Sequence, residues 1–170
     1  MILVTGGTGF IGSHLLEGLA RSSVAVRCFL RPKTTPRRLP EGVQQAFGDL
    51  ASGQGLEDAL TGVETVIHLA GVTKALRPAD YFAGNARATG NLARALAHRP
   101  IRLVHVSSLA AAGPSPDGTP LREDAEPHPL SHYRKSKREA ERIVRELVPG
   151  AVIVRPRSST ARAIPTSIRS

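Results

Sequence analysis

One cysteine, Cys28, stands in the 170 residues. It lies inside an apolar run, so no disulfide can form within the chain, and a reduced, cytoplasmic setting is expected. Aromatic residues make up 4%, without the basic–aromatic interleaving that stacks bases. No apolar run is long enough to cross a membrane. Met1 leads straight into Ile2, Leu3 and Val4 with no basic stretch before them, so no signal peptide is expected. Acids are in deficit: 23 Lys and Arg face 14 Asp and Glu, a formal net charge of +9. The excess reads as arginine-rich composition rather than a nucleic-acid surface. Part of it falls after Pro156, where Arg157, Arg162 and Arg169 have no acid among them. The histidines form no metal site; His128 and His132 are close in sequence, but no cysteine or acid cluster accompanies them, and solvated surface positions are expected. A hydrophobic share of 41% argues against disorder, and the length suits one domain with a full-sized core.

Short apolar, β-branched runs alternate with amphipathic stretches. Strands are expected over 2–5, 24–30, 43–47, within 63–70, and over 101–106 and 151–154. Ile11, Leu15, Leu16 and Leu19 make a helical stripe; further helices are expected over 56–60, 79–97 and 131–147. Such alternation predicts an α/β fold, a doubly wound parallel sheet covered on both faces. Residues 113–129, rich in Pro, Gly, Asp and Ser, read as one long surface loop.

Between the first strand and first helix runs Thr5-Gly6-Gly7-Thr8-Gly9-Phe10-Ile11-Gly12. Gly6 permits a tight turn, Gly9 lets the backbone come close to a pyrophosphate, and Gly12 lets helix and strand pack together. The amides and positive end of the helix would then face phosphates. On this basis Gly6, Gly7, Thr8, Gly9, Phe10, Ile11 and Gly12 are assigned to a dinucleotide site. The second strand ends Cys28-Phe29-Leu30-Arg31. Arg31 stands where an NAD site usually places an acid for the ribose hydroxyls. A guanidinium there pairs with a 2′-phosphate, and Lys33, Arg37 and Arg38 add positive charge, so NADP is expected in preference to NAD. Leu69, Ala70 and Gly71 close the fourth strand with residues small enough for a cofactor to lie flat across the strand ends.

Tyr133 and Lys137 are four residues apart in a predicted helix and so share one face, whereas Lys135 faces away. A phenol with a pKa of about 10 is a poor acid or base at neutral pH; a neighbouring ammonium favours the phenolate. Tyr133 would then move a proton at a substrate oxygen while hydride passes to or from a nicotinamide. Ser107 and Ser108 end the fifth strand, where a serine would hydrogen-bond the same oxygen.

The segment Thr-Gly-Gly-Thr-Gly-Phe-Ile-Gly, the serine-bearing strand and the Tyr-x-x-x-Lys helix, in this order, resemble the extended short-chain dehydrogenase/reductases of the NAD-dependent epimerase/dehydratase type. The likeness runs from about Met1 to Pro156. It implies a Rossmann unit over 1–156 and selects Ser108, five residues before Gly113, as the active serine, with Ser107 the alternative. It implies that Asp49 and Leu50 hold the adenine, that Asn85 lies near the cofactor and that Lys137 also holds the nicotinamide ribose. It further implies a small-molecule substrate and a homodimer built through helices beside the Tyr-Lys element. Reduction, epimerisation and dehydration all remain open.

Residues 157–170 depart from the family. Relatives continue with a hydrophobic-Tyr-Gly-Pro segment and a smaller substrate domain. Codons can be chosen for Ser158 to Thr166 that, read one base earlier, give Val-Val-Tyr-Gly-Pro-Arg-Asp-Thr-Asp. The expectation is therefore a fragment lacking its C-terminal substrate domain, with a tail from a frameshift and with turnover impaired. The alternative is a non-catalytic NADP-binding module or cofactor sensor.

Overall fold

The computed structural model describes residues 1–32, 39–115, 118–122 and 125–157. Six strands, β1 (Ile2–Thr5), β2 (Val26–Leu30), β3 (Gln44–Phe47), β4 (Thr65–His68), β5 (Arg102–Val106) and β6 (Val152–Val154), form one sheet in the order β3-β2-β1-β4-β5-β6. Every pairing is parallel, with Thr5 opposite Phe29 on one side and His68 on the other. The expected doubly wound α/β sheet is what forms.

Alternation of side chains along a strand sends Leu3 and Val4 to opposite faces. Leu3, Val66 and Leu103 pack with Leu92, Leu96 and Val144; Val4, Cys28 and Leu30 pack with Leu16. Helix α1 (Phe10–Ala20) thus covers one face. Helices α2 (Leu56–Leu60), α4 (Ala88–Leu96) and α5 (His132–Leu147) cover the other. Each fully buried Leu contributes roughly 1.5–3 kcal/mol.

Most boundaries fall within a residue of expectation, and two elements differ by more. The second strand begins at Val26, because Val24, 45% exposed, lies outside the sheet. The helix expected over 79–97 is composite: α3 (Pro78–Tyr81) passes into a π-helical stretch, Phe82–Arg87, and then into α4. The wider turn brings Gly84 against Val72, where an added Cβ would meet Val72 Cγ2 at 2.2 Å.

Helix α5 starts where Ser131 Oγ accepts from Arg134 N at 3.3 Å. It is tied to the end of β6 by a buried ion pair. Arg155 donates through Nε to Glu141 Oε1 at 2.9 Å and through Nη2 to Oε2 at 2.7 Å. Burial alone would raise the Glu141 pKa, but its hydrogen bonds, those from Arg155 first, and the Arg155 and Arg145 charges outweigh it and hold the carboxyl below its ordinary range. The helix is thereby fixed in height against the strand ends.

The anticipated basic residues Lys33, Arg37 and Arg38 lie outside the described residues, as does the tail from 158 onward.

Candidate active site

The strand order reverses between β1 and β4, which both lie beside the first glycine turn. In open α/β sheets the crevice at such a switch point, beyond the carboxyl ends of the strands, is where ligands bind. Here it is shaped by glycine. Gly6 has φ of 71°, a left-handed conformation that suits glycine, and a Cβ on it would lie 2.6 Å from Ala70 N. A Cβ on Gly12 would lie 2.2 Å from Gly6 O. Gly9 precedes α1 in an extended conformation, and no side chain caps the helix. A Cβ on Gly9 would meet only Gly6 O, at 3.2 Å, and would otherwise enter open space.

Gly7 packs toward the core, where a Cβ would lie 2.5 Å from Cys28 Sγ, and it is not among the wall residues of the two clefts described next. Its neighbour, the Cys28 thiol, is pushed up to about 11 by burial, so it is an inert core group.

Two clefts open along the strand ends and share Gly6, Gly9, Leu69 and Gly71. The smaller, about 370 Å³, is walled by Thr8, Arg31, Asp49, Leu50 and Ala70. Asp49 Oδ1 accepts from Ala51 N at 2.9 Å. Arg31 is exposed and, among the described residues, pairs with no acid. The larger cleft, about 810 Å³, is walled by Phe10, Ile11, Gly12, Asn85, Ser107, Ser108, Tyr133 and Lys137. Residues some 130 positions apart in sequence, the glycine loop and the Tyr-Lys helix, therefore face one space. Among the described residues no acid lines it; Arg134 and Arg157 add to its positive wall.

Within this cleft, Ser108 Oγ accepts from Ala110 N at 3.2 Å at the head of the short 3₁₀ turn Leu109–Ala111. The Tyr133 ring meets the Tyr81 ring edge-on, centroids 6.2 Å apart. Lys137 is 5% exposed and donates from Nζ to Val106 O at 3.0 Å. Burial pulls its pKa down to about 8, while the Glu141 charge pushes the other way. Lys135, the other lysine of the helix start, is exposed.

Asn85 is buried in the π-helical stretch, and its amide is committed to protein partners. Oδ1 accepts from Val72 N at 2.7 Å; Nδ2 donates to Val72 O at 3.0 Å and to Ser136 Oγ at 2.9 Å. Ser136 in turn donates to Tyr133 O at 2.8 Å. Asn85 borders the cleft by joining the turn after β4 to the helix that carries Tyr133.

The sequence reading missed a buried polar column beneath the cleft. His68 Nδ1 is 2.6 Å from Thr5 Oγ1 and His68 Nε2 is 2.9 Å from Thr89 Oγ1. His105 stacks on His68, centroids 5.3 Å apart. Both imidazoles are held neutral: burial, then its neighbours' charges, lowers His68 well below its ordinary value and His105 to about 3. Their places inside the apolar runs Val66-Ile67-His68 and Val104-His105-Val106 were the available signal. His128 and His132, by contrast, are exposed.

The joined clefts fit a dinucleotide. The junction is glycine-lined, a side chain on Gly9 would fill it, and the uncapped start of α1 borders it. The family model for the NAD dependent epimerase/dehydratase family matches residues 2–157. A ceramide reductase of Caulobacter vibrioides is 36% identical over 166 residues, which is 92% of this chain and 45% of that protein. A UDP-glucose 4-epimerase of Azospirillum brasilense is 32% identical over 153 residues, covering 85% of this chain and 44% of that protein. Among solved structures, a UDP-glucuronic acid 4-epimerase from Bacillus cereus in complex with NAD superposes with a TM-score of 0.78 at 26% identity, over 92% of this chain and 56% of that one. The chain spans about half the length of the curated relatives it matches.

Proposed function

The chain belongs to the NAD dependent epimerase/dehydratase family, and from that premise we propose that residues 1–156 bind NADP in preference to NAD and perform the proton transfer of a hydride-transfer reaction on a small-molecule alcohol or carbonyl. The observation that carries the reading is the convergence of the glycine loop with Ser108, Tyr133 and Lys137 on one cleft. A bound nicotinamide supplies the taking or giving of hydride.

The chain's own residues do the rest. The smaller cleft offers Asp49 and Leu50 to an adenine and Arg31 to a 2′-phosphate. The Tyr133 hydroxyl exchanges a proton with the substrate oxygen, and the Ser108 hydroxyl hydrogen-bonds that oxygen. The Lys137 ammonium stands one helical turn from Tyr133 on the same wall and reaches toward the nicotinamide ribose. Its anchor on Val106 O keeps it at the cleft wall. Asn85 holds the turn at Val72 and, through Ser136, the start of α5. Reduction and epimerisation both need a proton moved at an oxygen while hydride moves at its carbon, so one constellation serves either.

Titration by nicotinamide fluorescence tests the cofactor half. NADPH should bind more tightly than NADH, and Arg31→Glu should reverse the order; NADH binding as tightly as NADPH to the unaltered chain would overturn the preference. Reduction of 2,3-butanedione with NADPH tests the catalytic half. Tyr133→Phe should keep nucleotide affinity and slow turnover at least about 100-fold. Turnover unchanged by Tyr133→Phe would overturn that half.

A further inference from the structure

The loop after β3 walls the adenine side of the smaller cleft and is closed by its own backbone. Asp49 N donates to Gln54 O at 3.0 Å, and Gly53 N donates to Asp49 O at 2.8 Å. Among the described residues, one side chain outside the loop hydrogen-bonds its tip, about 40 residues further on. Asn91 in α4 donates from Nδ2 to Leu50 O at 2.9 Å and to Ala51 O at 3.0 Å. Its Oδ1 accepts from Arg94 Nη1 at 2.9 Å, which sets the orientation of the amide so that both hydrogens face the loop. Leu50 and Ala51 are themselves wall residues of the smaller cleft, next to Asp49.

We propose that Asn91 is a positioning residue for the adenine half of the nucleotide site, acting through the Leu50 and Ala51 carbonyls. The proposal rests on the reading that the joined clefts hold a nicotinamide dinucleotide. It gives the continuous stretch from α3 to α4 two tasks, at positions six residues apart. Asn85 fixes the turn at Val72 on the larger cleft, and Asn91 fixes the loop at Leu50 and Ala51 on the smaller one. Each amide, carried on a helix, fixes the backbone of a loop that walls a cleft. Truncation at 91 frees two adjacent carbonyls at once, and the wall loses its only side-chain hydrogen bonds to α4 among the described residues. An aspartate at 91 would point an acceptor at two acceptors and drive the loop off α4.

The test compares Asn91→Ala and Asn91→Asp with the unaltered chain, using NADPH, adenosine 2′,5′-bisphosphate and reduced nicotinamide mononucleotide as separate probes. Loss of two hydrogen bonds predicts about ten-fold weaker binding of NADPH in Asn91→Ala. Adenosine 2′,5′-bisphosphate should weaken by the same factor, the mononucleotide should be unaffected, and Asn91→Asp should be worse than Asn91→Ala. Equal loss on all three probes would mean a merely structural role and would overturn the proposal, as would unchanged binding of the bisphosphate by either folded variant. An unaltered chain that binds none of the three would instead overturn the underlying nucleotide reading.

Discussion

Replacing Lys137 by methionine should stabilise the fold near neutral pH. The ammonium is 5% exposed and donates to one backbone carbonyl, Val106 O. Its pKa falls from 10.5 to about 8 on burial, which corresponds to roughly 3 kcal/mol of unfavourable burial of the charged form. Methionine fills a similar unbranched space. Losing the donor to Val106 O returns part of the gain, about 1–2 kcal/mol. The net expectation is a stabilisation of about 1–2 kcal/mol, or some 3–6 °C in Tm for a chain of this size. The sign with pH follows from the lowered pKa. Between about 8 and 10.5 the unfolded chain holds a proton that the folded chain has released, so the native protein gains stability as pH rises through that window. The advantage of Lys137→Met should therefore be full at pH 7 and shrink toward pH 10. Thermal melts and urea titrations at both pH values measure it. A variant less stable than the native chain at pH 7, or an advantage that persists undiminished at pH 10, would refute the reasoning. A stabilising substitution at this position also separates the lysine's contribution to function from its contribution to folding.

His105 supplies the complementary acid-side test. Its folded pKa of about 3 lies below the ordinary 6.5, so the unfolded chain takes up the proton first and stability declines as pH drops below about 6.5. His105→Phe should flatten that decline, read from Tm between pH 7 and 5; an unchanged slope would count against burial of a neutral imidazole. Gly12→Ala places a methyl 2.2 Å from Gly6 O. It should destabilise by about 1–3 kcal/mol and abolish nucleotide binding, and full-affinity binding by this variant would contradict the packing of the glycine turn.

The parts legible from sequence were those set by local rules. Alternation of β-branched runs with helical stripes named all six strands because buried parallel strands must be apolar, and the edge strand β3, Gln44–Phe47, survived its two glutamines through Phe47 and the preceding Val43. Four-residue spacing brought Tyr133 and Lys137 to one wall, since helical geometry alone decides it. The parts that stayed hidden depend on distant partners. The π-helical stretch leaves composition untouched and shifts only the phase of the helix, so Asn85 could be placed near the cleft but not seen to grip Val72 and Ser136. Gly7 looked like its neighbours, yet Cys28 beneath it decides its direction. Glu141 reads as one more charge on a charged helix until Arg155, beyond β6, closes over it.

The most direct test of the central claim is an amide correlation spectrum of the nitrogen-labelled chain titrated with NADP. Shifts should concentrate on Gly6, Gly9 and Gly12, on Asp49 and Leu50, and on Gly71, Ser108 and Lys137, tracing one ligand across both clefts. No shifts, or shifts confined to the outer face of α5 around Arg142, would contradict it.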